Sequence, residues 1–230
     1  MKHTTPSVTD ILAELKSHSN PEYVNSLSRL GVQGDKILGV KMPLVREVAK
    51  KYKKDHSLAQ QLWDAEVHEA RIMASLLDQP AAVTVQQMDA WVHDFNSWDI
   101  CDQACSNLFC RTPFAYDKAL EWSDRHEEFV KRAGFVLMAC LAIHDKKAED
   151  AKLAAFFPLI EREAYDERNF VKKAVNWALR QIGKRNATLR TMALLVAERL
   201  SLHELPNARW IGKDALRELK SDKVSRKLKG

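Results

Sequence analysis

Glycine and proline are scarce in this 230-residue chain, 7 of each. Half of them fall between or at the edges of apolar-periodic stretches, at Pro21, Gly31, Gly34, Gly39, Pro80, Pro113 and Pro206. A fold of many short strands needs frequent turns, so this scarcity argues for long helices instead. Long hydrophobic runs are also missing. The longest, Ala133 to Ile143, is far short of the ~20 residues that span a bilayer, so no membrane association is expected. The opening Met1-Lys2-His3-Thr4-Thr5-Pro6 has no apolar core and does not read as a secretory signal. Cysteine is confined to Cys101, Cys105, Cys110 and Cys140, with no CxxC pair. That predicts reduced, mostly buried thiols in a cytoplasmic protein. Cys101 and Cys105 have helical spacing, but no nearby Cys or His completes a ligand set, so no metal is expected. His68, His93 and His144 are isolated and read as structural or solvent-exposed. There is no phosphate loop, no Gly-rich dinucleotide turn and no Gly-x-Ser-x-Gly elbow, and no cofactor is expected.

What is present is helical periodicity, almost without pause. Hydrophobic residues make up 46% and charged residues 29%, an ordinary globular balance. Apolar residues recur at three- and four-residue steps over 8–17, 43–53, 66–77, 85–94, 98–109 and 113–123. The pattern continues over 127–143, 159–163, 169–182, 187–200 and 208–219. Pro43 and Pro113 suit first helical turns, and Thr84, Ser97 and Thr112 are candidate N-caps. No interval reads as an interdomain linker, so one domain over 1–230 is expected, ending in a basic tail at about 220–230.

The chain also repeats itself. Phe129-Val130-Lys131-Arg132-Ala133 recurs as Phe170-Val171-Lys172-Lys173-Ala174, a shift of 41, and Ala178-Leu179-Arg180 recurs as Ala215-Leu216-Arg217, a shift of 37. A helical period near 40 marks HEAT-type helix pairs, which bury their apolar faces only by stacking. The expected fold is therefore all-α, with HEAT-like helical repeats stacked into a curved, C-shaped α-solenoid.

Charge is unevenly spread. Residues 36–54 hold seven Lys/Arg and one acid, and 171–230 hold fifteen and five, while 55–170 hold eleven Lys/Arg against twenty-one acids. Two basic regions flanking an acidic one suit a polyanionic partner, and the plain alternative is a solvated Lys-rich surface plus a basic tail.

Two constellations stand out. Trp98 and Asp102 are four residues apart and share a helix face, where an indole could pack on a sugar and a carboxylate face developing positive charge. The plain alternative is an interhelical Trp beside an exposed or salt-bridged Asp. Asp99 is a rival carboxylate, a quarter-turn from Trp98. Lys173, Trp177, Arg180 and Lys184 form a second stripe if the helix persists past Gly183, and Trp210, Lys213 and Arg217 repeat its steps. Cations neutralise phosphates and interleaved aromatics pack on sugars or bases. Burial against the next repeat explains Trp177 equally and is preferred for Trp210. Arg132 suits a phosphate contact or a surface ion pair with Glu128. Lys41 and Arg46, in the first basic region, join the candidate DNA-binding set.

The chain resembles the AlkD-like DNA alkylation repair family of HEAT-like repeat DNA glycosylases, roughly from Pro21 to Leu219. The resemblance is carried by Ser97-Trp98-Asp99-Ile100-Cys101-Asp102, by 129–133, by 169–180 and by 210–219. It implies metal-free, cofactor-free excision of cationic N3- or N7-alkylated purines from double-stranded DNA by a monomer, nucleoid-associated when acting. By motif position it implies that Trp98, Trp177 and Asp102 surround the lesion's deoxyribose and that Arg132 holds nearby backbone. The chain also departs from the pattern. Ser97 precedes a single Trp98 where studied active members have two adjacent tryptophans, and the place of an N-terminal tyrosine falls near Leu30. The competing reading is a non-catalytic HEAT-repeat module that binds nucleic acid or protein.

Overall fold

The structure, a computed structural model, describes residues 7–227. The expectation about a signal at 1–6, and the last residues of the basic tail at 228–230, lie outside the described residues. The described residues form fifteen α-helices, and the chain divides into two compact units, Met1–Thr112 and Pro113–Gly230.

Unit 1 contains α1 (Val8–Ser17), α2 (Pro21–Arg29), α3 (Met42–Ala49), α4 (His56–Asp64), α5 (His68–Leu77), α6 (Val85–His93) and α7 (Trp98–Asn107), then a single 3-10 turn at Phe109–Arg111. Polar caps set most of the starts. Ser7 and Asp10 form a reciprocal capping box on α1. Asn20, Asp55 and Thr84 each accept a backbone N–H of the first turn of α2, α4 and α6. Pro43 lies in the first turn of α3, as its fixed φ favours. α5 lies at the centre, packed on α3, α4 and α7. Trp63 and Trp91 stack with ring centroids 3.9 Å apart, and Phe95 and Phe109 close round them. The long connection from α2 to α3 is pinned from below, where the buried Glu69 carboxylate accepts the N–H groups of Leu38, Gly39 and Val40 at 2.7–3.0 Å.

Unit 2 contains α8 (Ala115–Ser123), α9 (Glu128–His144), α10 (Asp150–Ala154), α11 (Phe157–Glu163), α12 (Asn169–Gly183), α13 (Ala187–Ser201), α14 (Pro206–Leu219) and α15 (Asp222–Lys227). α8 pairs with α9, α11 with α12 and α13 with α14, while α12 also packs between α9 and α14. The sequence repeat is thus the repeat of the second helix of each pair. Its repeated aromatics meet: the rings of Phe129 and Phe170 lie 5.6 Å apart. Two pairs close through glycine. A Cβ on Gly134 would sit 2.5 Å from the Ser123 nitrogen, and one on Gly212 would sit 2.2 Å from the Ser201 nitrogen.

Several expectations shift. Thr112 does not N-cap a helix but closes the 3-10 turn, its hydroxyl donating to the Phe109 carbonyl at 2.8 Å, and Pro113 lies in the turn before α8. Ser97 occupies the N-cap position of α7 without a side-chain cap bond. The helices α2, α4, α10 and α15 were not expected from periodicity. α2 buries Leu27 alone and α10 buries Leu153 alone, so neither displays an apolar stripe. All four cysteines are buried and none is in a disulfide. No helix among the described residues is long and apolar enough to cross a membrane.

Candidate nucleic-acid interface

In unit 1 the candidate residues stand on α7. Ile100, Cys101, Ala104 and Cys105 face the core, and Trp98 and Asp102 lie at the edge of that face. Both are half-buried. The Trp98 indole N–H donates to the Leu30 carbonyl at 3.1 Å, which holds the ring edge-on to the end of α2. Leu30 itself is 59% exposed, so the place matched to the missing tyrosine stands beside Trp98.

The rival carboxylate is occupied. Asp99 Oδ2 lies 2.8 Å from His68 Nε2, and the Ile100 N–H donates to its other oxygen at 3.0 Å. Burial pushes the Asp99 carboxyl up, but the hydrogen bond and charge of His68 and the Ile100 amide outweigh it and hold it below the usual carboxylate range. His68 is neither isolated nor exposed. It is buried and lines a polar pocket of about 270 Å³ under the 33–37 segment. Elsewhere in unit 1, Lys41 and Arg46 are exposed at the start of α3 and within it, with the Lys41 ammonium 5.9 Å from the Tyr23 ring centroid.

In unit 2 the stripe on α12 is real but partly committed. Lys173 is exposed and Trp177 half-buried. Arg180 and Lys184 both grip Glu218 of α14, Lys184 at 2.5 Å, and Arg180 Nε lies 3.7 Å from Asp214. Lys184 is the C-cap of α12, so the helix persists just long enough to present it. The Gln181 carboxamide oxygen, in the orientation that satisfies both donors, accepts from Trp177 Nε1 and Lys184 Nζ at 2.9 Å. Burial raises the Glu218 pKa, and the bonds from Lys184 and Arg180 more than reverse this, leaving it lowered. On α14, Lys213 and Arg217 are exposed, Arg217 pairing with Asp214 one turn back.

Arg132 differs from expectation. It is 5% exposed, and its Nη1 donates to the Phe170 carbonyl at 2.6 Å, tying α9 to the start of α12. Little of its guanidinium is left at the surface for a phosphate. Trp210, expected to be buried, is 42% exposed, with the Lys172 ammonium 5.2 Å from its ring centroid.

Compared with known protein families, residues 11–219 match the DNA alkylation repair enzyme family. The chain belongs to that family. No curated protein matches it. Among solved structures, one described as "a new family of proteins related to the HEAT-like repeat DNA glycosylases with affinity for branched DNA structures" matches with a TM-score of 0.78. Identity to it is 18%, over 93% of this chain and 96% of that one. The fold is accordingly that of HEAT-like helical repeats. Within this DNA alkylation repair fold, two features escaped the sequence reading. The His68–Asp99 pair joins residues 31 apart, and only α5–α7 packing brings them together. The exposure of Trp210 had a signal in its place opposite the stripe of Ala208, Ile211, Ala215 and Leu219 that α14 buries.

Proposed function

We propose that the protein is a monofunctional DNA glycosylase that removes cationic N3- or N7-alkylated purines from duplex DNA. The observation that carries this reading is on α7: the Asp102 carboxylate stands one helical turn from the Trp98 indole, both half-buried at the edge of the core face. A non-catalytic phosphate-binding surface gains nothing from a carboxylate held beside an indole.

The chemistry asks little of the protein. Alkylation makes the purine a cationic leaving group, and its departure leaves oxocarbenium character on the sugar. The Asp102 carboxylate stabilises that charge and orients the attacking water. Opposite charges about 4 Å apart interact by roughly 4 kcal/mol at an effective dielectric of 20. That is on the order of a thousandfold in rate, which suffices for a bond already labilised by alkylation. The Trp98 ring face favours a partly cationic sugar, and Trp177 presents a like ring on α12. Phosphate contacts come from the exposed Lys41, Arg46, Lys173, Lys213 and Arg217. Arg180 and Lys184 are held by Glu218 and contribute less, and Arg132 acts chiefly as a strut between α9 and α12.

The test is release of 7-methylguanine from methylated duplex DNA by purified protein under single-turnover conditions. Wild type should release the base, and Asp102→Asn should be slower by roughly a hundred- to a thousandfold, the loss of one electrostatic stabiliser. DNA affinity should hold or rise, since a negative charge leaves a polyanion site. Normal excision by Asp102→Asn would falsify the assignment. A second reading, binding of branched DNA without excision, is favoured by the character of the structural neighbour and by Ser97 and Leu30 at the departing positions. It predicts no base release by wild type and tighter binding to a four-way junction than to duplex.

A further inference from the structure

We infer that unit 2 carries a second nucleic-acid subsite: a basic pocket at the C-terminal ends of α9, α12 and α14 that takes the phosphates of a single strand leaving the duplex. The inference rests on the DNA-binding part of the proposed function and not on excision.

The pocket has a volume of about 770 Å³. Pockets of roughly 300–1,000 Å³ enclose ligands of drug size. One or two nucleotides fit that space, and a duplex does not. Four cations line it, Lys146, Lys184, Arg185 and Lys223, against two acids, Asp150 and Glu218. Cations at helix C-termini are ordinary complements of the helix dipole, so each must be asked whether it is already used. Lys184 is, on Glu218 and Gln181. Arg185 gives one amine to the Ala142 carbonyl at 3.4 Å. Lys146 and Lys223 are exposed and make no ion pair among the described residues. The acids are the better satisfied side. Glu218 is held by two cations, and one Asp150 oxygen accepts from Asn186 at 2.7 Å. The pocket therefore keeps unspent positive charge.

Two further features choose the ligand. The walls include apolar side chains, Ile143 and Val224, and none of the described residues lining it is aromatic. Base stacking is thus absent, and the pocket reads backbone rather than sequence. Its wall also continues the α12 stripe: Gln181 bonds the Trp177 indole on one side and lines the pocket with Lys184 on the other. A strand running past Trp177 is led into it.

The experiment compares wild type with the Lys146→Ser/Lys223→Ser double variant, both surface positions whose loss should leave folding intact. Fluorescence anisotropy over a NaCl series is read with two labelled probes, a blunt duplex and the same duplex bearing a single-stranded overhang. Wild type should bind the overhang probe about tenfold more tightly. The double variant should lose that preference, with its log–log salt slope on the overhang probe falling by about 1.4, or ~0.7 for each single-strand contact. Equal binding of both probes by wild type, a preference retained by the variant, or an equal loss on both probes each overturns the subsite. Excision separates the two proposals. The double variant should release 7-methylguanine from blunt duplex at the wild-type rate, and a wild type without excision would still show the overhang preference.

Discussion

Asp99 and Asp102 are three residues apart on one helix, yet the structure gives them different work. Asp99 is bonded to the buried His68 and held below its ordinary pKa of 3.8. A carboxyl with a lowered folded pKa stabilises fully above the unfolded value and stops doing so as pH falls through the folded one. Asp99→Asn should therefore cost about 1.5–3 kcal/mol near neutral pH, the worth of a charge-assisted bond. The gap from wild type should close as pH drops below about 4, which chemical denaturation across pH 2.5–7 would show. A gap that widens in acid would mean that the pair does not hold α5 to α7 as described. The tryptophans divide in the same way. Trp63 and Trp122 are almost wholly buried, whereas Trp98 and Trp177 are half-buried. Alanine at the first two should cost about 3–5 kcal/mol. At Trp98 and Trp177 the loss should be clearly smaller, while excision per folded molecule falls well below wild type. Thermal unfolding beside single-turnover excision distinguishes these cases. A large melting-temperature drop with normal turnover would reduce Trp98 and Trp177 to packing residues.

At the scale of elements, the helix pairs of unit 2 depend on backbone approach. Gly212 brings α14 against α13 so closely that a Cβ would meet the Ser201 nitrogen at 2.2 Å and the Ala197 carbonyl oxygen at 2.6 Å. Both are backbone atoms and cannot turn aside. Gly212→Ala should destabilise by about 1–3 kcal/mol despite alanine's better helix propensity, and the shift in urea midpoint measures it. A stabilised variant would show that the pair has room to part. The α12 stripe is the other matter at this scale. Its spacing was legible because residues three and four apart share a helix face, but the partners on α14 were not. Arg180 and Lys184 share Glu218, which a reading of α12 alone cannot reveal. The same blindness explains Arg132, whose Phe170 carbonyl lies 38 residues away.

For the whole molecule, affinity for DNA should follow exposed cations rather than total charge. The net charge is +5, but many Lys and Arg are tied to carboxylates, as Lys131 is to Glu163 and Arg168 to Asp166. Lys173→Ala and Lys213→Ala should each lower the log–log salt slope of duplex binding by about 0.9, the value of one released counterion. Arg132→Ala should leave the slope nearly unchanged and lower stability instead. Anisotropy titrations from 50 to 200 mM NaCl, with unfolding curves alongside, decide it. Unchanged slopes for both lysines would return them to a solvated surface.

The sequence by itself determined the helical class, the period near 40, the family and the face of α7 that carries Trp98 and Asp102. These follow from local rules, because side-chain direction along a helix is set by its 3.6-residue turn and repeats are visible as spacing. Tertiary structure alone decided which carboxylate His68 holds, which cations were spent on Glu218, why Arg132 is closed, and where a pocket forms at the ends of three helices. Each of those depends on a partner from another helix 31 or more residues away, and helix periodicity carries no information about what stands across the gap.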